Sequence, residues 1–282
     1  MEEHGTVASY GKTGASRADR LTRRGFLKAG ALALAPLLLP GTGASRPDSD
    51  TPPILWHGSR TLPLLAVTID DCYSLPAVQR LAQVLSGHPE MKATFFPTGR
   101  ALVNTAEGDP ELWPRLRAQG HEFGYHGYEH EAPSRMSAAQ IQADLGRWQA
   151  TLADVAGDTP VIHFARPPYG DYSYSFREFC QAEQLTLAMW STDWGGARTT
   201  AMRRVGRARA GDIVLMHGRF PDAENLEPAL AAISDLRLCK VTLSELQSAC
   251  GGVFPGGKVA VCECGNEPKE STGKSLMTPG DA

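Results

Sequence analysis

The chain has 282 residues, of which 42% are hydrophobic and 21% charged, and its formal net charge is −3 at pH 7. This length suffices for one large α/β domain, or two small ones, with a substantial core. Lysine and arginine are scattered after the first thirty residues and form no basic footprint, so we exclude nucleic acid as a partner.

Residues 1–44 have the pattern of an export signal. Arg23 and Arg24 precede the apolar stretch 29–39, and small residues at 42–44 offer a cleavage site. The motif resembles a bacterial twin-arginine signal, which implies passage through the twin-arginine export machinery. The stretch is about half of the ~20 residues that a membrane span needs. We predict an exported chain, periplasmic, in the cell envelope or extracellular, without a transmembrane span. The alternative is a basic amphipathic N-terminal helix.

The rest of the chain divides by composition. Residues 45–60 are rich in Pro, Ser and Asp and are predicted to be a linker. Residues 61–250 carry the alternating pattern of a catalytic domain. Residues 251–282 are rich in Gly, Pro, Lys and Ser, so we predict a C-terminal tail that is partly disordered. Of the six cysteines, Cys239 and Cys250 are the pair that we would test first for a disulfide, although many connectivities are open.

Apolar runs typical of strands alternate with helical segments after residue 61. The predicted strands are Leu64–Ile69, Ala93–Pro97, Glu122–Tyr125, Val161–Ala165, Leu185–Trp190, Ile213–Met216 and Leu238–Val241. The predicted helices are Pro76–Leu85, Glu111–Ala118, Ala138–Val155, Ser175–Glu183, Leu226–Leu236 and Leu243–Cys250. About seven such units in strict alternation favour an α/β fold built as a parallel (β/α) barrel. No glycine-rich phosphate loop follows any strand, which excludes the usual dinucleotide site.

Two adjacent carboxylates, Asp70 and Asp71, follow the first strand. Its uninterrupted apolar run indicates burial on both faces, and the carboxyl ends of parallel strands are the usual place for chemistry. Neighbouring side chains on an extended chain point in opposite directions, so the two carboxylates are expected to do different work. One could hold an ion while the other moves a proton. The alternative is an Asp-rich turn that closes the strand.

His126 and His130 are separated by three residues, a spacing used for zinc because side chains four apart can share one face of a turn. Two imidazoles and one carboxylate leave a coordination position open for water, as catalytic sites require. Asp71 is the natural third ligand. The alternative is that both rings are ordinary surface or core residues. His121, at the start of the preceding strand, is predicted to be structural.

Polar residues also follow three later strands. These are Arg166 before a Pro-Pro pair, Asp193 and Trp194, and His217 after Leu215. Taken singly, Arg166 would be a solvated charge and His217 a core histidine. Together with the two earlier clusters they place five polar groups at five predicted strand ends.

As an ordered set these motifs resemble the polysaccharide deacetylase family, the carbohydrate esterases of family 4. The motifs are T-I-D-D at 68–71, H-G-Y-E-H at 126–130, R-P-P-Y-G at 166–170, D-W at 193–194 and L-M-H at 215–217. The resemblance covers about Leu64 to Gly218. It implies a distorted barrel and a divalent metal, usually zinc or cobalt.

The resemblance also implies a role for each residue. Asp71, His126 and His130 would bind the metal. Asp70 would be the base, paired with Arg166, and His217 would be the acid, oriented by Asp193. Tyr169 would offer its backbone N–H to the oxyanion, while Leu215 and Trp194 shape the acetyl pocket and the groove.

Two residues depart from the family's pattern. Cys72 stands where the family commonly has Gly after the Asp pair, and its thiol could pack in the barrel, coordinate the metal or oxidise. Gly127 stands where the family has Ser or Thr, so a hydroxyl that could brace the ligand loop is missing.

The activity implied is a hydrolase that removes N- or O-linked acetyl groups from a polysaccharide such as peptidoglycan, chitin-like oligomers or acetylated hemicellulose. Two alternatives remain open. One is an amidase or imidase that acts on a small non-sugar substrate with the same metal apparatus. The other is a catalytically inactive carbohydrate-binding protein of the envelope, against which the retention of Asp70, Arg166 and His217 argues.

Overall fold

The computed structural model describes residues 54–158 and 160–250, and the predicted export signal and tail lie outside them. Within those residues eight strands and eight α-helices follow one another. The strands are β1 (Leu64–Asp71), β2 (Ala93–Pro97), β3 (Glu122–Phe123), β4 (Phe164–Ala165), β5 (Thr186–Leu187), β6 (Thr192–Asp193), β7 (Ile213–His217) and β8 (Cys239–Val241). The helices are α1 (Leu75–Ser86), α2 (Gly99–Gly108), α3 (Leu112–Ala118), α4 (Ala138–Ala156), α5 (Tyr174–Ala182), α6 (Arg198–Val205), α7 (Phe220–Ile233) and α8 (Leu243–Ser248).

Strand β1 is the centre of a parallel sheet with the order β3-β2-β1-β7-β6. Its second half pairs with β2, and its first three residues pair with β8. Residues Ala66 to Asp70 of β1 lie opposite Ile213 to His217 of β7. The six residues between its ends are buried, as the apolar run predicts, because helices cover one face and the barrel interior the other.

The remaining strands complete a distorted ring. A bridge between Tyr125 and Ala165 links the end of β3 to β4, which pairs with β5. The chain then bends and continues as β6, which pairs with β7. The predicted strand 185–190 is thus replaced by two short strands on either side of this bend. The predicted parallel α/β barrel, distorted in this way, is confirmed.

Alternate residues of β1 face the two sides of this ring. Leu65, Val67 and Ile69 pack in the larger core against the helices, whereas Ala66 packs in a smaller core with residues of the other strands. By the same alternation Asp70 projects into the barrel. No helix among the described residues is both long and apolar enough to cross a membrane.

Three expectations about the periphery need correction or addition. Part of the predicted linker, residues 54–60, belongs to the domain, since the Leu55 N–H donates to the Leu187 carbonyl at 2.9 Å. The Cys239–Cys250 pairing is wrong, because Cys250 is a free thiol. Helices α2 and α6 were not predicted. Helix α6 buries only Ala201 and Val205, too few to mark an amphipathic face.

His121 has the structural role that its position predicts. Its buried ring accepts a hydrogen bond from the Ala93 N–H at 3.2 Å and lies edge-on to Phe95. Burial, with the nearby charge of Lys92, lowers the pKa of His121 from 6.5 to about 4. Between these values the unfolded chain binds a proton that the folded chain does not. The contribution of neutral His121 to the free energy of unfolding is therefore fully present above pH 6.5 and is lost as the pH falls towards 4.

We expect His121→Asn to reduce this acid sensitivity, because an amide oxygen can accept from Ala93 without titrating. The free energy of unfolding should fall between about pH 7 and about pH 4 by about 3 kcal/mol less in the variant than in the parent. Urea unfolding at the two pH values measures both losses. Equal losses in the two proteins would show that His121 is not the titrating group.

Candidate active site

The predicted polar residues other than Asp193 meet at the carboxyl end of the barrel. Asp70 and His217 are paired positions on β1 and β7, and the Gly218 N–H donates to the Asp70 carbonyl at 2.9 Å. They line a cavity of about 350 Å³. Its other lining residues are Asp71, His126, His130, Pro167, Tyr169, Gly170, Trp190, Leu215 and Arg219.

Asp71, His126 and His130 form a compact donor set. The Asp71 Oδ1 lies 3.3 Å from His126 Nε2 and 3.1 Å from His130 Nε2. One ligand atom from each residue lies within 4.8 Å of the others. Asp71 and His130 have left-handed backbone conformations, with φ of 63° and 60°. Such strain in residues other than glycine is typical of functional sites. The structure brings together the three residues expected to bind metal.

The tautomer of His126 indicates that the three donors can bind a cation. His126 Nδ1 lies 2.8 Å from the Arg166 carbonyl, which can only accept, so Nδ1 carries the hydrogen. In a neutral ring Nε2 then has a lone pair, and that lone pair faces a carboxylate oxygen of Asp71. A cation between the two atoms removes this repulsion. Two imidazoles and a carboxylate therefore fit a divalent ion such as zinc.

The ionisation of Asp71 is also favourable for binding a cation. Burial acts to raise the pKa of Asp71, but when the rings of His126 and His130 are protonated their hydrogen bonds and charge outweigh it and hold the pKa well below its usual range. The carboxyl group is therefore ionised at neutral pH and available as a ligand.

Asp70 is held by a fully buried guanidinium. Arg166 is 0% exposed, and its Nη1 donates to Asp70 Oδ1 at 2.6 Å and to Thr68 Oγ1 at 2.7 Å. Its other donors bind the carbonyls of Ala188 and Met189. Burial lowers the pKa of Arg166 and Asp70 opposes that effect, so the side chain stays charged. The second oxygen, Oδ2, lies 3.8 Å from His126 Nε2 and so faces the metal donors.

The residue that contacts His217 is Asp222 in helix α7. Asp222 is buried, and its Oδ2 accepts from the His217 N–H at 2.8 Å and lies 3.3 Å from His217 Nδ1. Its Oδ1 accepts from the Gly196 N–H at 2.8 Å. Asp193, which was expected to orient His217, instead pairs with Arg204 and accepts from the Gly195 N–H. That expectation is corrected, because the structure places Asp222, which sequence reasoning did not name, against His217 in place of Asp193.

The predicted substrate residues divide into two groups. Tyr169 and Leu215 line the cavity, and Tyr169 is 73% exposed with a left-handed backbone, φ 60°. Trp194 is fully buried and packs in the core, so it does not contact a ligand there. The indole on the cavity wall is instead that of Trp190, four residues earlier in the chain.

The structure accommodates both Cys72 and Gly127, the two residues that depart from the pattern of the deacetylase family. Cys72 is buried with φ 66°, and burial raises the pKa of its thiol well above the usual value, which disfavours metal binding. Gly218 packs against Cys72 so closely that a Cβ added at residue 218 would lie 2.4 Å from the Cys72 Cα. Gly127 has φ 76°, a conformation that favours glycine over Ser or Thr.

Three residues that could hold a divalent ion thus lie beside a carboxylate and an imidazole at the strand ends, a combination of groups that can catalyse hydrolysis. Residues 57–188 match the polysaccharide deacetylase family. The peptidoglycan-N-acetylglucosamine deacetylase of Bacillus cereus is 28% identical over 158 residues, 54% of this chain and 55% of that protein. The matched part of the chain is thus similar to the polysaccharide deacetylase family, whose solved members include carbohydrate esterases of family 4 (CE4). The chain spans less than two thirds of the length of the first curated relatives that it matches.

Solved structures agree on the fold. A peptidoglycan N-acetylglucosamine deacetylase in complex with a benzamide derivative has a TM-score of 0.61 at 23% identity, over 69% of this chain and 92% of that chain. A CE4 family pseudoenzyme from Bacillus anthracis has a TM-score of 0.62 at 21% identity, over 70% of this chain and 69% of that chain. Similarity of fold therefore does not decide whether a chain of this type is active.

Proposed function

We propose that this chain is an exported metal-dependent hydrolase that removes acetyl groups from a polysaccharide, with peptidoglycan glycan as the favoured substrate. One observation carries the proposal: a carboxylate and an imidazole at paired positions of adjacent strands flank three metal donors in one cavity. The family match and the named relatives support the same activity.

Asp71, His126 and His130 would hold the cation, with zinc the best fit to the donors. When bound, the ion would polarise the acetyl carbonyl and make a water more acidic. Asp70 accepts the proton of the attacking water through Oδ2, since Arg166 occupies Oδ1. The same guanidinium keeps Asp70 oriented before the reaction.

His217 donates a proton to the departing amine. Asp222 accepts from Nδ1–H, which leaves Nε2 to face the cavity. Burial acts to lower the pKa of His217, but the hydrogen bond that its ring donates to Asp222 and the charges of Asp70 and Asp71 outweigh this effect and raise the pKa. A larger fraction of His217 is therefore protonated near neutral pH, as an acid requires.

We expect Asp222→Asn to lower kcat about 10- to 100-fold, because the amide loses the charge that favours protonated His217. KM and metal content should stay near those of the parent. Asp193→Asn is the matched control, since Asp193 pairs with Arg204 instead, and it should keep most of the activity. Steady-state kinetics with both variants check this. A near-parental kcat for Asp222→Asn beside a large loss for Asp193→Asn would reverse the assignment.

Acetate release by the chain without residues 1–44, measured on several substrates, tests the proposed function. The panel comprises purified peptidoglycan, acetylated chitin oligomers, acetylated xylan and a cyclic imide. We expect release from the glycans, greatest from peptidoglycan, and no hydrolysis of the imide. Turnover of the imide alone would favour the amidase alternative. Binding of glycans without any turnover would make the chain an inactive binding protein.

A further inference from the structure

Arg219, the residue before helix α7, places a cation on the wall of the catalytic cavity. Its side chain is 54% exposed, and its Nε donates to Asp222 Oδ1 at 3.2 Å. In the part of the chain that the structure describes, its two terminal nitrogens form no hydrogen bond. The N–H donors of both terminal nitrogens therefore remain available on a guanidinium that its third nitrogen holds in place.

Asp222 has hydrogen-bond donors besides this cation. Its Oδ2 accepts from the His217 N–H at 2.8 Å and lies 3.3 Å from His217 Nδ1. Its Oδ1 accepts from the Gly196 N–H at 2.8 Å, which is shorter than the contact with Arg219. A buried carboxylate with these donors is already satisfied, so Arg219 is not required to stabilise Asp222.

Arg219 does not assist the proposed proton donor either. Burial acts to lower the pKa of His217, and the charge of Arg219 acts in the same direction. The guanidinium thus opposes the protonated state that His217 needs as an acid. A cation in this cavity with free donors, needed by neither neighbour, is available to bind an anionic ligand.

The position of Arg219 indicates which part of the substrate it meets. Asp222 contacts His217 through Oδ2 and Arg219 through Oδ1, so the guanidinium lies beside the imidazole. In the proposed function His217 protonates the departing amine, which belongs to the sugar. A substituent of the sugar close to that amine would therefore face Arg219. Arg166 cannot serve in its place, because it is fully buried and bound to Asp70.

We propose that Arg219 binds a carboxylate on the sugar that is deacetylated, which makes the preferred substrate an acidic N-acetyl sugar. The inference rests on the proposed function and narrows its substrate class. The carboxylate lies next to the acetamido group, as in N-acetylmuramic acid, whose lactyl ether is on the neighbouring carbon. The planar N–H groups of a guanidinium match a carboxylate in geometry and charge. The bound anion also offsets the charge of Arg219 beside His217.

Two forms of one substrate test the proposal. The first is a peptide-free tetrasaccharide of alternating N-acetylglucosamine and N-acetylmuramic acid, and the second is the same tetrasaccharide with its carboxylates reduced to alcohols. We expect the parent to have a kcat/KM at least about tenfold higher for the acidic form, since a hydrogen bond between charged groups is lost in the other. Mass spectrometry of the product should find the free amine on the acidic sugar.

Substitution of Arg219 should remove this preference. In Arg219→Gln the KM for the acidic form should rise until the two forms are hydrolysed equally well, and Arg219→Lys should keep part of the preference because the charge remains. Arg198→Gln is the matched control. Arg198 is exposed, donates to the Glu224 carbonyl of α7 and lies outside the cavity, so this variant should keep the parental preference.

Equal kcat/KM of the parent for both forms would overturn the proposal, as would a free amine on the neutral sugar or an undiminished preference in Arg219→Gln. If the parent releases no acetate from any substrate, the proposed function fails instead. Calorimetric titration with the two tetrasaccharides then decides whether Arg219 binds the carboxylate. Tighter binding of the acidic form by the parent, but not by Arg219→Gln, would support that contact, and equal binding would overturn it.

Discussion

Replacing Asp70 by asparagine is expected to lower kcat for acetate release about 10²- to 10⁴-fold while the bound metal stays at the parental level. The amide can still accept from Arg166, so the packing of the barrel is kept. It cannot take a proton from water, because the basic oxygen has gone. Asp70 is not in the donor set, which is why metal content and activity should separate. Elemental analysis and steady-state kinetics on the same preparation measure both.

Asp212→Asn is the control for this variant. Asp212 is a second buried aspartate paired with an arginine, Arg60, but it precedes β7 and lies away from the cavity. Both substitutions should lower the melting temperature, whereas only that at Asp70 should remove activity. Parental turnover by Asp70→Asn would show that another group is the base.

His126→Ala is expected to lose both metal and activity. The substitution removes a ligand atom and leaves the Arg166 carbonyl without its hydrogen-bond donor. Replacing a residue that only hydrogen-bonds to a metal ligand costs about 10- to 100-fold in metal affinity, so loss of a ligand itself should cost more. Acetate release should fall at least as far as in Asp70→Asn. Zinc titration followed by calorimetry, together with the turnover assay, measures the effect.

His88→Ala is the control for a histidine outside the site, since His88 pairs with Glu90 and Glu227 on the surface. It should bind zinc and release acetate as the parent does. A His126→Ala variant with full zinc affinity would mean that the ion lies elsewhere.

The local pattern sufficed to predict the central strand and the residues after it. A buried strand leaves a strong signal, because every residue between its ends is apolar or β-favouring. In a parallel sheet its carboxyl end lies beside those of its neighbours. The strand ends together with the spacing of His126 and His130 therefore favoured a donor set with Asp71. The pairing of Arg166 with Asp70 came from the resemblance to the deacetylases, since the strand pattern indicated only some buried carboxylate as its partner.

The partner of His217 could not be predicted by that route. Asp222 lies in the first turn of α7 rather than at a strand end, and its contact with His217 depends on how tightly the chain turns after β7. Of the two aspartates, only Asp193 follows a predicted strand, so the sequence pattern indicated Asp193 as the partner of His217. In a two-residue strand, however, the sequence cannot determine which residue faces inward, so both Asp193 and Trp194 were misplaced.

We propose that one divalent ion, held by Asp71, His126 and His130, is required for acetate release. The direct test is to strip the protein with a chelator, remove the chelator, and follow acetate release from peptidoglycan while zinc is added back. We predict no turnover without metal and recovery that is complete at one equivalent of zinc. Full turnover by the metal-free protein would contradict the claim.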